Sequence, residues 1–132
     1  MEKVIITGGS GFLGKNLENK LKEEFEVIIF DREKGRDIMK SEDFNRLKAD
    51  YVIHLAALMR GIKDTDLIRV NVTGTKNVLE FCKNTNAKLV FASSSAVYGH
   101  AFSPISEETM ANPVSIYGLT KSTTSISLVL VA

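Results

Sequence analysis

Near the C-terminal end, Tyr117-Gly-Leu-Thr-Lys121 sets a phenol four positions before an ammonium group. On a helix such residues lie one turn apart on one face, so the cation can sit beside the phenol. A free tyrosine loses its proton near pH ~10, and one acting as a base near neutrality must be shifted by about three units, roughly 4 kcal/mol. A neighbouring cation supplies part of that shift. Alone the pair is weak, since a Tyr and a Lys at this spacing are more often a packed ring and a solvated amine. The chain also holds hydroxyls in "SSSAVYG" (Ser93 to Gly99) and, in "TGGSGFLGKN" (Thr7 to Asn16), a backbone able to pass close to phosphate.

The glycine segment reads in two ways. From Gly9, GSGFLGKN meets the glycine and lysine positions of a nucleoside-triphosphate loop, but Asn16 stands where a Ser or Thr should reach magnesium. From Gly8, GGSGFLG is a G-x-x-G-x-x-G variant of the dinucleotide fingerprint, directly after an apolar strand and opening a helix. In that reading Gly8 permits the tight turn and Gly11 lets backbone N–H groups approach a pyrophosphate at the positive helix end. Gly14 lets the helix lie close on the sheet. Phe12 and Leu13 fall inside the same cofactor-binding segment. Asp31 follows Gly14 by seventeen residues, closing the next apolar run, where a carboxylate can accept hydrogen bonds from both ribose hydroxyls of an adenosine. A carboxylate also repels a 2′-phosphate, which favours NAD over NADP, with Arg32 as a partial compensation. A simple ATP-binding loop is the third choice.

These residues need elements to hold them. "KVIIT" (Lys3 to Thr7) and "EVIIFD" (Glu26 to Asp31) are apolar without alternation, as strands covered on both faces are, and "DYVIHLAA" (Asp50 to Ala57) and "KLVFASSS" (Lys88 to Ser95) also read as strands. Leu13, Leu17 and Leu21 predict a helix from Phe12 to Phe25. A short helix is expected from Ser41, its N-cap, to Leu47. A longer one runs from about Asp66 to Asn84 despite Gly74, and a last one begins near Ile116. Strands alternating with helices predict an α/β fold, a doubly wound parallel sheet with helices on both faces.

Composition sets the outer limits. A chain of 132 residues fits one domain, and 44% apolar with 25% charged residues is a globular balance. The net charge of +1 is dispersed, so a small-molecule ligand is expected and nucleic acid is not. One cysteine and two histidines predict no disulfide, no metal site and a reducing compartment. The apolar run at the N-terminus is too short for a signal peptide, and no run reaches the length of a membrane span, so a cytoplasmic location away from membranes is expected. His54 reads as a packed, hydrogen-bonded core residue, Cys82 as core, and His100 as surface.

Together "TGGSGFLG", "HLAA" (His54 to Ala57), "NVTGT" (Asn71 to Thr75), "SSSAVYG" and "YGLTK" resemble, in order and spacing, the extended short-chain dehydrogenase/reductases, the NAD-dependent epimerase/dehydratase group that includes nucleotide-sugar epimerases. The resemblance covers Val4 to Lys121. It implies a Rossmann-type fold, a nucleotide-sugar substrate, and Ser94, Tyr117 and Lys121 as the catalytic set. Ser94 is chosen over its neighbours because it stands five residues before Gly99. Tyr117 would be the acid/base, with Lys121 lowering its pKa and holding the nicotinamide ribose while Ser94 orients the sugar hydroxyl. Asp37 and Ile38 match a pair that touches adenine. Leu55, Ala56 and Ala57 would line the cofactor, and Asn71 would lie near the nicotinamide. The implied reaction is hydride transfer between a sugar carbon and NAD.

Family members are longer, and their C-terminal part encloses the nucleotide-sugar. This sequence reads as truncated after the YxxxK helix, the cofactor-binding half alone. Its last stretch, "STTSISLVLVA", carries no charge and needs cover, as a homodimer through the final helix, as a strand, or as part of a fragment. An NAD-dependent epimerase/dehydratase-like enzyme is the leading expectation. A non-catalytic NAD-binding sensor or interaction module is the alternative.

Overall fold

The computed structural model describes the backbone of residues 1–61 and 63–131, with side chains for all of these except 126–131. Four strands form one sheet: β1 (Lys3–Thr7), β2 (Glu26–Phe30), β3 (Tyr51–His54) and β4 (Lys88–Phe91). Helix α1 (Phe12–Leu21) joins β1 to β2, whereas β2 reaches β3 through two short 3-10 turns. After β3 comes α2 (Asp64–Ile68), which passes through a π-helical stretch, Arg69–Gly74, into α3 (Thr75–Thr85). Helix α4 (Ile116–Val131) follows β4 and a loop.

All pairings are parallel, in the order β2-β1-β3-β4, with Ile5 opposite both Ile28 and Val52. The chain steps from β1 outward to β2, then returns past β1 to β3 and β4. Right-handed crossovers in opposite directions put α1 and α3 on opposite faces, giving the Rossmann-type doubly wound sheet expected from the sequence. The switch of direction leaves a crevice position beyond the C-terminal ends of β1 and β3, where the glycine segment starts.

Contacts divide the chain into two compact units, Met1–Ala57 with Thr73–Ala92, and Leu58–Val72 with the chain from Ser93 onward. In the first, Val4, Ile5, Ile6 and Val52 are buried, which is why β1 shows no alternation. Phe44 stacks between Phe30 and Phe81 at centroid distances of 4.2 and 5.2 Å, filling the space between sheet and α3. In the second unit α4 packs against α2 and against the one-turn 3-10 segment Ser95–Tyr98.

Several boundaries differ from the sequence expectation for packing reasons. Helix α1 stops at Leu21 rather than Phe25, because Phe25 turns its ring edge-on to Tyr51 at 5.9 Å and so lets β2 begin at Glu26. Leu13, expected on the apolar stripe with Leu17 and Leu21, is 53% exposed. The segment after Ser41 is only a 3-10 turn, Ser41–Phe44, preceded by Lys40 as its N-cap residue. Strands β3 and β4 end before Leu55 and Ala92, where the chain leaves the sheet. The final segment is helical through Val131, not a strand. The expected homodimer contact falls largely on side chains outside the described residues.

Candidate functional site

The glycine segment is shaped by contacts that leave no room for side chains. Gly8 has φ +69, and a Cβ there would lie 2.8 Å from the Ala56 nitrogen. Gly9 sits on Ile29, and a Cβ on Gly14 would fall 2.4 Å from the Gly9 Cα. Gly14 thus lets α1 lie against the loop, and Gly9 is the residue that lies on the sheet; the sequence reading gave that task to Gly14. Gly11 is different, since a Cβ there would meet only the Gly8 carbonyl oxygen, at 3.3 Å.

Gly11 is the N-cap of α1 without a side-chain cap, and the first turn holds no acidic residue. The first-turn amides, from Phe12, Leu13 and Gly14, have no intrahelical acceptor. Phe12 is 88% exposed and shields nothing. A positive helix end with free N–H groups and no internal anion suits a phosphate. Ser10 Oγ in this loop is also buried without a hydrogen-bond partner, the one such side-chain atom among the described residues. Both features fit the diphosphate of a dinucleotide.

Asp31 immediately follows β2. Its Oδ2 accepts from Ser10 N–H at 3.3 Å and its Oδ1 from Glu33 N–H at 3.1 Å, so the carboxylate is held beside the loop with lone pairs to spare. Arg32 is exposed. Asp37 accepts from Met39 N–H at 2.9 Å, and its own N–H donates to Asp43 Oδ2 at 2.7 Å. Ile38 is buried, packed where a Gly74 side chain would be, and its carbonyl receives Asn77 Nδ2 at 2.8 Å. Leu55, Ala56 and Ala57 are half-buried beyond β3. His54 is buried and hydrogen-bonded to Thr7 and Thr75, as expected of a core residue.

The second unit gathers the other candidates. Tyr117 lies in the first turn of α4, half-buried, with Lys121 Nζ 6.0 Å from its ring centroid. Lys121 is 3% exposed. Ser94 caps the Ser95–Tyr98 turn by accepting from Ala96 N–H at 3.2 Å. Helix α4 approaches that turn so closely that a Cβ on Gly118 would fall 2.5 Å from the Ala96 carbonyl oxygen. The residue after Tyr117 must therefore be glycine for Tyr117 and Ser94 to share one neighbourhood. Asn71 accepts from Leu58 N–H at 2.7 Å and donates to Leu58 O at 2.9 Å and Thr120 Oγ1 at 3.0 Å. Thr120 Oγ1 in turn donates to the Tyr117 carbonyl at 2.8 Å. The Asn71 amide is thus occupied in bracing α4, a role the sequence reading missed along with Gly9, Gly118 and Thr120. Glycine at 118, inside YGLTK, was the available signal.

Burial pushes the Lys121 ammonium down from 10.5 to about 8. The folded chain must hold a desolvated cation below about 8, while the unfolded chain keeps that charge in water up to 10.5. Unfolded molecules therefore bind more protons between these values, and stability rises as pH climbs through that window. Lys121→Met is expected to be more stable than the parent at neutral pH by about 1–3 kcal/mol and to lose this rise. Urea unfolding at neutral and alkaline pH measures both effects.

A parallel sheet with a glycine-rich turn after its first strand and a carboxylate after its second is a dinucleotide-binding α/β architecture. Residues 4–130 match the NAD dependent epimerase/dehydratase family, and the chain belongs to that family. It is 34% identical over 131 residues to the GDP-6-deoxy-D-talose 4-dehydrogenase of Aggregatibacter actinomycetemcomitans, covering 90% of this chain and 45% of the relative. The UDP-glucose 4-epimerase of Thermotoga maritima, solved with UDP-glucose, superposes with TM-score 0.90 at 25% identity, over 98% of this chain and 51% of that one. A short-chain dehydrogenase/reductase superfamily protein of Agrobacterium tumefaciens, solved with bound NAD, superposes with TM-score 0.87 at 26% identity, over 96% and 44%. The chain spans less than half the length of the curated relatives it matches.

Proposed function

We propose that this chain is the cofactor-binding and catalytic portion of an NAD-dependent oxidoreductase acting on a nucleotide-sugar, of the epimerase/dehydratase kind. The observation that carries the reading is the uncapped N-terminus of α1, opened by a loop whose glycines at 8, 9 and 14 admit no side chain. Amides of the first turn hold the diphosphate, Asp31 accepts the adenosine ribose hydroxyls, and Asp37 with Ile38 borders the adenine. Leu55, Ala56 and Ala57 line the bound cofactor. NAD, when bound, accepts and returns a hydride at its nicotinamide.

The remaining chemistry belongs to the second unit. Tyr117 takes the proton of a sugar hydroxyl as its phenolate and gives it back in the reverse sense. Lys121, charged near neutrality, favours the phenolate and binds the nicotinamide ribose. Ser94 orients the hydroxyl, and Asn71 keeps α4 in place through Thr120. A cytoplasmic enzyme that pairs with a second copy through α4 is the assembly we infer; among the described residues no helix is long and apolar enough to cross a membrane.

Titration with NAD and NADP, followed by a turnover assay with UDP- and GDP-sugars, tests the reading. NAD is expected to bind in preference to NADP, and Asp31→Ser to weaken NAD roughly tenfold while narrowing the preference, since one charge-assisted acceptor is lost. Absence of saturable binding for both nucleotides ends the proposal. Binding without turnover of any sugar reassigns the chain as an NAD-binding module.

A further inference from the structure

Thr7 and His54 stand opposite one another at the ends of β1 and β3, both fully buried. Just beyond them the Gly8 turn and the Leu55–Ala57 segment pass so closely that a Gly8 Cβ would lie 2.8 Å from Ala56 N and 2.9 Å from Ala56 Cα. Two bonds set that spacing. Leu55 N–H donates to the Thr7 carbonyl at 3.1 Å, and Ala56 N–H donates to Thr7 Oγ1 at 3.2 Å. With its oxygen already accepting from Ala56, the buried Thr7 hydroxyl must place its own proton on an acceptor. His54 Nδ1 is in hydrogen-bond contact with it. A neutral imidazole whose Nδ1 accepts carries its proton on Nε2, and Nε2 lies 2.9 Å from Oγ1 of Thr75, the first residue of α3. The opposite tautomer would make both partners of Thr7 Oγ1 donors and leave the buried hydroxyl proton without an acceptor among the described residues.

We propose that His54 is a positioning residue for the cofactor turn, locked as the neutral Nε2–H tautomer so that the Thr7 hydroxyl points at Nδ1 and its oxygen holds Ala56 against Gly8. The lock ties β1, β3 and the start of α3 into one hydrogen-bonded chain beneath the turn. Its consequence for ligand binding rests on the NAD reading above; the tautomer itself does not.

The test uses the whole chain, labelled with 15N at histidine, with His100→Gln to assign the two imidazoles. The expected spectrum shows a pyridine-type Nδ1 and a pyrrole-type, protonated Nε2 for His54. Thr7→Val keeps the shape of the side chain but removes the hydroxyl; it is expected to lose the shift of Nδ1 caused by the Thr7 donor, to speed hydrogen exchange of the Ala56 amide, and to weaken NAD roughly five- to tenfold, the effect of one buried hydrogen bond. Thr7→Ser, which restores the hydroxyl, is expected to recover all three. A protonated Nδ1 in the parent, or Thr7→Val with unchanged Ala56 exchange, overturns the lock. The predicted tautomer with slowed Ala56 exchange in a parent that binds no NAD supports the lock and counts against the cofactor reading alone.

Discussion

Gly14→Ala is expected to abolish saturable NAD binding and to destabilise the chain by at least about 2 kcal/mol, the scale of overpacking a tight site. The sign is opposite to the usual one. In an exposed helical position alanine is favoured over glycine by about 1 kcal/mol. At Gly14 the new methyl group would lie 2.4 to 2.6 Å from three backbone atoms of Gly9, and backbone has no rotamer with which to move aside. Gly9 has little room to retreat, because a Cβ on it would already lie 2.7 Å from the Ile29 side chain and 3.0 Å from the Ile6 carbonyl oxygen. The clash must therefore lift α1 and open the loop that presents its amides. Gly35 is the control: its φ is positive, +74, unlike that of Gly14, but nothing lies within 4 Å of its missing Cβ. Gly35→Asn, whose side chain tolerates that conformation, is expected to leave NAD affinity unchanged. Urea unfolding and an NAD titration on both variants decide it, and a Gly14→Ala chain as stable and as competent as the parent would refute the close-packing argument.

Tyr117→Phe is expected to lower turnover by about 10²- to 10⁴-fold, the range for loss of a general acid/base, with little change in stability or NAD affinity. The asymmetry follows from the geometry. The Tyr117 side-chain hydroxyl makes no hydrogen bond among the described residues, so its removal leaves no buried partner unsatisfied, while the ring keeps its place beside Lys121. Thr120 grips the Tyr117 backbone carbonyl, which the substitution does not touch. The measurements are initial rates with nucleotide-sugars, thermal unfolding and NAD titration. Retained turnover would remove Tyr117 from the mechanism. Equal loss of stability and rate would make it a packing residue.

The parts of this chain differ in how far residue type and spacing alone reveal them. The glycine spacing, the position of Asp31 after the second apolar run and the Tyr117–Lys121 pair are local patterns, each interpretable within one turn or one strand. They led to the Rossmann-type sheet and to the family. The parallel, doubly wound arrangement also followed, because alternating elements with right-handed crossovers leave few topologies, whereas the order β2-β1-β3-β4 came from the structure. The ends of elements did not follow: Phe25 left α1 for Tyr51, twenty-six positions away in sequence, and the run expected through Ala57 left the sheet after His54.

What the sequence by itself determined is thus the chemistry on offer: a loop that can cradle phosphate, a carboxylate suited to ribose, a phenol with a cation one turn away, and a parallel sheet to carry them. Tertiary structure alone decided which atoms are crowded and which are dry. Gly9 and Gly118 are obligatory because the Ile29 side chain and the Ala96 backbone are pressed against them, the Asn71 amide is spent on Leu58 and Thr120, and Lys121 loses basicity through burial. Crowding and desolvation are set by neighbours brought together across tens of residues, and local patterns of residue type carry no record of those distances.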